Sequence, residues 1–221
     1  MGRGVALLCL TALPAVAATT VGAEAEFQIA RLKYGGGGDW YSNRSSLPNL
    51  LAAVRERTTI KAAEKEAVVS PTDPELFSYP YLYATGHGQI RFTEEEADAL
   101  RRYMLGGGFF HVDDNYGMDP HFRKAVKTLF PDRDLVELPY DHGIYHSFYD
   151  FPDGLPKIHE HYGGPPHGYA IIDKGRVVLF YSYNTDLGDG WESPEVHHDP
   201  PEKREAALRM GVNLVIYALT H

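Results

Sequence analysis

The chain has 221 residues, with 21 lysines and arginines against 30 aspartates and glutamates, a net charge of −9 and a single cysteine, Cys9. A net negative chain repels phosphate backbones, which excludes nucleic acid as an expected partner. The length suits one domain with a full core better than two.

The N-terminus reads as a signal peptide. Arg3 precedes an apolar stretch, residues 5–18, interrupted only by Thr11 and Pro14, and small residues follow at 15–17 and 21–23. Base, apolar stretch and small residues in that order mark a secretory leader. The stretch is shorter than the roughly 20 apolar residues that span a bilayer. A cut is expected after Ala23, with Ala17 as the alternative, so residues 1–23 leave and 24–221 form a single domain that is periplasmic or secreted. Cys9 leaves with the leader, so the mature chain has neither a disulfide nor a thiolate nucleophile. No later stretch is long and apolar enough to cross a membrane.

Residues 27–34 alternate apolar and polar like a strand and run into four glycines, 35–38. A helix fits from about Pro48 to Arg57, with Leu47, Leu50, Leu51 and Val54 on one side. Residues 67–69 and 81–84 read as strands, the second stopped by Gly86, His87 and Gly88. Thr93 and Glu96 form a capping box that opens a helix with Ala97, Leu100, Tyr103 and Met104 on one face, and glycines 106–108 end it. Residues 109–113 form a buried strand. Asp119 and Pro120 open a helix carrying Phe122, Ala125, Val126, Leu129 and Phe130, closed by Pro131.

Residues 135–138 read as a short strand, and 139–168 as a long irregular excursion rich in Pro, Gly, His and Tyr. Residues 169–172 and 176–182 flank Asp173, Lys174 and Gly175, a hairpin signal. A polar loop is expected over 184–201, then a last helix capped by Asp199, with Leu208, Val212, Val215 and Leu219 buried. Alternating strands and helices imply a three-layer α/β fold of the flavodoxin-like type. Its sheet is mostly parallel, with helices on both faces and an antiparallel edge hairpin.

Three stretches together resemble a known family. They are residues 31–34 with the glycines, Asp39 and Trp40; residues 81–87 through Arg102, Tyr103, Gly107, Gly108, Asp113 and Asp114; and residues 186–191 with Gly211, Val212, Asn213 and 217–219. The chain is similar to the bacterial domain-of-unknown-function family 4159, over nearly the whole mature length. The resemblance implies a class I glutamine amidotransferase-like fold, shared with trehalose-utilisation-type proteins, and brings no established activity. In true amidotransferases a cysteine follows a central strand. Here Asp113, Asp114 and Asn115 end the strand after the glycine pair, so glutaminase chemistry does not carry over.

In an open α/β sheet, ligands bind beyond the carboxyl ends of the strands. Three strands end in unusual loops: residues 35–38 with Asp39, Trp40 and Tyr41; residues 86–88; and Asp113, Asp114, Asn115 and Tyr116. Parallel strands put all three on one rim. His87, between two glycines, is placed to act as a general base or a metal ligand, or to hydrogen-bond a neighbouring loop. Side chains alternate along a strand, so one of Asp113 and Asp114 is expected to face the crevice and the other to cap a turn. Trp40 and Tyr41 either stack on a sugar ring or pack under their loop. Asn115 and Tyr116 join them as ligand-binding candidates. The glycines lack a nucleotide-loop pattern and read as a turn, and His111 reads as a core histidine.

Two further regions carry chemistry-bearing side chains without a metal signature. One holds His142, His146, His159, Glu160, His161 and His167. The other holds Asp186, Asp189 and Glu192, which either bind calcium or form an Asp- and Gly-rich turn. His197 and His198 are expected to face solvent. The leading expectation is a cell-envelope domain binding a small polar ligand, sugar or metal at the rim, with His87, Asp113 and Asp114 as reactive groups. The alternatives are a carbohydrate-type or metal-assisted hydrolase, and a non-catalytic assembly module contacting an envelope protein.

Overall fold

The computed structural model describes residues 26–159 and 162–221, together with Met1. The expected leader, Met1 apart, and both cut positions lie outside the described residues, as do Glu160 and His161. The chain order is β1 (Ile29–Leu32), α1 (Ser46–Arg57), β2 (Ala67–Val69), β3 (Tyr81–Ala84), α2 (Glu94–Leu105), β4 (Phe109–Asp113), α3 (Asp119–Leu129), β5 (Val136–Glu137), β6 (His167–Asp173), β7 (Arg176–Tyr183), α4 (Leu187–Trp191), α5 (Pro194–His197) and α6 (Pro201–Thr220). One seven-stranded sheet has the order β2-β1-β3-β4-β7-β6-β5. Its first five strands are parallel, and β6 and β5 complete it with antiparallel pairings.

Two cores explain the three layers. Tyr81 and Tyr83 of β3 point into one core with Leu50, Trp191 and Val215 from α1, α4 and α6. Leu82 and Ala84 point into the other, with Leu100 and Phe122 from α2 and α3. Strands covered on both faces have no solvent side. Hence β1 is buried along its whole length, and its alternation separates two interiors rather than core from water. Arg31 lies within it, 3% exposed. Its guanidinium donates to the carbonyls of Ser42 (2.8 Å) and Asn43 (3.1 Å) and sits 3.4 Å from Glu66, so the buried charge is satisfied while it pins the loop after β1.

Local signals set several boundaries. Thr93 and Glu96 form the reciprocal capping box of α2, a device worth about 1 kcal/mol. Lys174 and Gly175 both have positive φ, 49° and 83°, in the turn joining β6 to β7, as a type I′ hairpin requires.

Three expectations are corrected. Residues 184–201 contain two short helices, and α4 is wholly buried. Trp191 draws α4 inward and donates Nε1–H to the carbonyl of Ala207 (2.7 Å). Pro200, not Asp199, occupies the N-cap of α6, because the Asp199 carboxylate accepts from His159 instead. Leu219 is exposed, since the last turn of α6 runs past the sheet.

Candidate functional site

The sheet order changes direction at β1, whose chain continues to β2 on one side while β3 adds on the other. That is the topological switch point where open α/β sheets take ligands. The loops after β1 and β3 meet there. Gly38 N–H donates to Gln89 O (2.8 Å) and Arg91 N–H to Gly35 O (2.9 Å), so the glycine run is a close-packed turn. His87 closes the junction. Its backbone N–H donates to the Asp39 carboxylate, and its Nδ1 lies 2.9 Å from Asp39 Oδ2. The imidazole is half exposed.

The loops after β4 and β7 supply a second group. Asp113 is fully buried among three donors: Ser182 Oγ (2.5 Å), Gly188 N (2.6 Å) and Leu187 N (3.3 Å). It thereby satisfies two amides at the start of α4. Burial, then the neighbouring Asp186, push its pKa well above the ordinary carboxylate range. Behind it runs a buried chain. Ser182 Oγ lies 2.8 Å from His111 Nε2, and His111 Nδ1 lies 2.9 Å from the Tyr81 hydroxyl, so both ring nitrogens are hydrogen-bonded. Burial holds the His111 pKa down at about 3, so it is a neutral core histidine.

Asp114 leaves the opposite face of the chain and accepts from Asn184 N–H (3.2 Å). Burial raises its pKa to about 7. Asn115 is buried and accepts from Tyr116 N–H. Tyr116 is exposed and stacks on Tyr162, which in turn stacks on Tyr183. His87 pairs with Asp39, while Asp113 and Asp114 pair with the end of β7 and the loop and helix that follow it. The two groups share the rim but not a hydrogen bond.

The densest polar cluster lies beside α4. His159 Nδ1 is 3.0 Å from Asp189 Oδ2, and its Nε2 is 2.9 Å from Asp199 Oδ1. His197 Nε2 is 2.8 Å from Glu192 Oε2 and 3.7 Å from Asp189 Oδ2. Asp189 is 6% exposed, and Asn43 holds its other oxygen at 2.5 Å. The hydrogen bond to Asp189, opposed by burial and helped by the Asp189 and Asp199 charges, raises the His159 pKa to about 9. Burial pushes Asp189 upward, but its bond to His159 and the nearby imidazoles bring its pKa below the ordinary value. His159, Asp189 and His197 each offer one donor atom, all within 4.8 Å of one another.

Next to this cluster opens a cleft of about 490 Å³, lined by residues 41–45 after β1 and by Glu192, Ser193, Glu195 and Val196. Glu192 belongs to both cleft and cluster. Tyr41, 54% exposed, stands in the cleft wall with Trp40 edge-on to it at 5.6 Å. The Trp40 ring is half-buried, with the Lys33 ammonium over it.

The family model described as a domain of unknown function (DUF4159) matches residues 28–219. The chain belongs to that family. No curated protein matches it. Among the described residues of this DUF4159 domain, no helix is long and apolar enough to cross a membrane.

In the DUF4159 domain, the His/Asp cluster escaped sequence reasoning as a unit, although each of its stretches carried a signal. His159 lies 30 residues before Asp189, and His197, exposed as expected, nevertheless turns one ring nitrogen to the cluster. Their meeting depends on α4 folding inward. The inward-packing signal is Trp191 preceded by Gly188 and Gly190, which a polar-loop reading passes over.

Proposed function

We propose that this domain is an exported receptor for a small polar ligand of the sugar class, bound in the cleft between residues 41–45 and 192–196. The observation that carries the reading is the position and chemistry of that cleft. It opens at the carboxyl ends of the parallel strands, beside the switch point, where such sheets bind ligands. Its volume of about 490 Å³ lies in the range of about 300–1,000 Å³ usual for small-molecule sites. An exposed tyrosine ring offers a stacking face for a pyranose. Arg44, exposed on the cleft wall, offers guanidinium donors for its hydroxyls. The N-terminal base, apolar stretch and small residues support export.

The test is calorimetry and thermal shift against a panel of neutral mono- and disaccharides, uronic acids and amino acids. Binding of a saccharide is expected, with affinity reduced about 5–30-fold in Tyr41→Ala, since an exposed ring contributes about 1–2 kcal/mol by contact alone. The free variant should melt like the wild type. No binding by any panel member, or unchanged affinity in Tyr41→Ala, overturns the reading.

A carbohydrate-type hydrolase is the second reading, favoured by the His197–Glu192 pair at 2.8 Å on the cleft edge. It requires turnover of chromogenic glycosides or esters by the wild type and its loss in Glu192→Gln.

A further inference from the structure

We infer that His159, Asp189 and His197 form a site for one divalent transition-metal ion of the zinc type. Each of the three residues offers one donor atom, and these atoms lie within 4.8 Å of one another. Metal–ligand bonds of about 2.0–2.2 Å in tetrahedral geometry place neighbouring donors about 3.3–3.5 Å apart. The Asp189 oxygen lies 3.0 Å from one imidazole nitrogen and 3.7 Å from the other. These separations bracket that edge, so shifts of a few tenths of an ångström bring both contacts to ligand geometry.

The surroundings match a metal centre in three further ways. Asp199 accepts from the far nitrogen of His159 at 2.9 Å, the carboxylate–histidine arrangement that orients a ligating ring and raises its basicity. Asn43 occupies the other oxygen of Asp189, which leaves Oδ2 to face the imidazoles. Glu192 Oε2 accepts from His197 Nε2 at 2.8 Å and orients that ring from the cleft edge. Asp186, Asp189, Glu192 and Asp199 are all largely buried around two imidazoles. That charge balance favours a cation over the histidine protons alone. Two nitrogen donors select a zinc-type ion over calcium or magnesium, which prefer all-oxygen shells.

This inference deepens the reading of the rim as a binding site, because Glu192 both holds His197 and lines the cleft. Metal uptake is nonetheless measurable without any organic ligand. The purified full chain is analysed for metal, stripped with chelator, and titrated with Zn²⁺ and, as a spectroscopic probe, Co²⁺. One ion per chain is expected, with visible Co²⁺ absorption bands of nitrogen and oxygen ligation. His197→Ala, on the partly exposed α5, should weaken Zn²⁺ binding at least about 100-fold with an unchanged circular dichroism spectrum. Asp199→Asn, a positioning change, should weaken it about 10–100-fold. Absence of stoichiometric uptake by the folded wild type overturns the inference, as does uptake unaffected by both His197→Ala and His159→Ala. Uptake of one ion without saccharide binding leaves the metal site standing and removes the sugar-receptor reading.

Discussion

Replacing His111 by glutamine tests the buried chain under Asp113. The folded protein keeps His111 neutral down to about pH 3, against 6.5 for the free side chain, because it is sealed from water. A lowered folded pKa means that the unfolded chain takes up a proton the folded chain refuses. The stabilisation is complete above 6.5 and is lost as pH falls towards 3. Each pH unit in that window costs about 1.4 kcal/mol, so acidification from about pH 7.5 to about pH 5 removes about 2 kcal/mol through His111 alone. His111→Gln lacks this titration. At neutral pH it should be the weaker protein by about 1–3 kcal/mol, because Tyr81 and Ser182 lose well-placed partners. Urea unfolding of both proteins at the two pH values is the assay. The wild type should lose about 2 kcal/mol more than the variant on acidification, so that their stabilities converge. Parallel pH dependences would refute the neutral buried histidine.

Two further substitutions probe the rim. A Cβ at Gly188 would stand 2.8 Å from Asn43 Nδ2 and 3.1 Å from Asp113 Oδ2, and closer still to the Tyr83 hydroxyl. Gly188→Ala should therefore cost about 1–3 kcal/mol in thermal unfolding, and an unchanged melting point would contradict the Asp113 cap on α4. Burial raises Asp114 from 3.8 to about 7, so the folded state resists its ionisation and loses stability as pH rises through that window. Asp114→Asn should be more stable than the wild type by about 4 kcal/mol near pH 8, with the gap closing towards pH 4; an equal gap at both values would place Asp114 in water.

Local chemistry made most of the scaffold readable. The capping box at Thr93 and Glu96, the glycines after α2, the Lys174–Gly175 turn and the apolar stripe of α3 all act within a few residues. Their energetics are the same in the chain as in the fold. The alternation of strands and helices fixed the parallel sheet, and with it the shared rim of the loops carrying Asp39, His87 and Asp113. Where α6 begins and which part of it is buried were decided at longer range. Asp199, a good N-cap by type, turned to His159 instead, and Leu219 keeps the helical period but runs beyond the sheet.

The sequence by itself determined the layers, the strand directions and the edge on which chemistry-bearing loops collect, because periodicity and capping are local. Only the tertiary structure decided which of those groups meet. Trp191 and the glycines beside it let α4 sink against α6. That burial carries Asp189 to His159, and the following turn brings back His197 and Asp199. A donor set drawn from residues 159, 189, 197 and 199 has no sequence period. It is fixed by apolar packing that draws these distant segments together, and so it becomes visible only once the core is assembled.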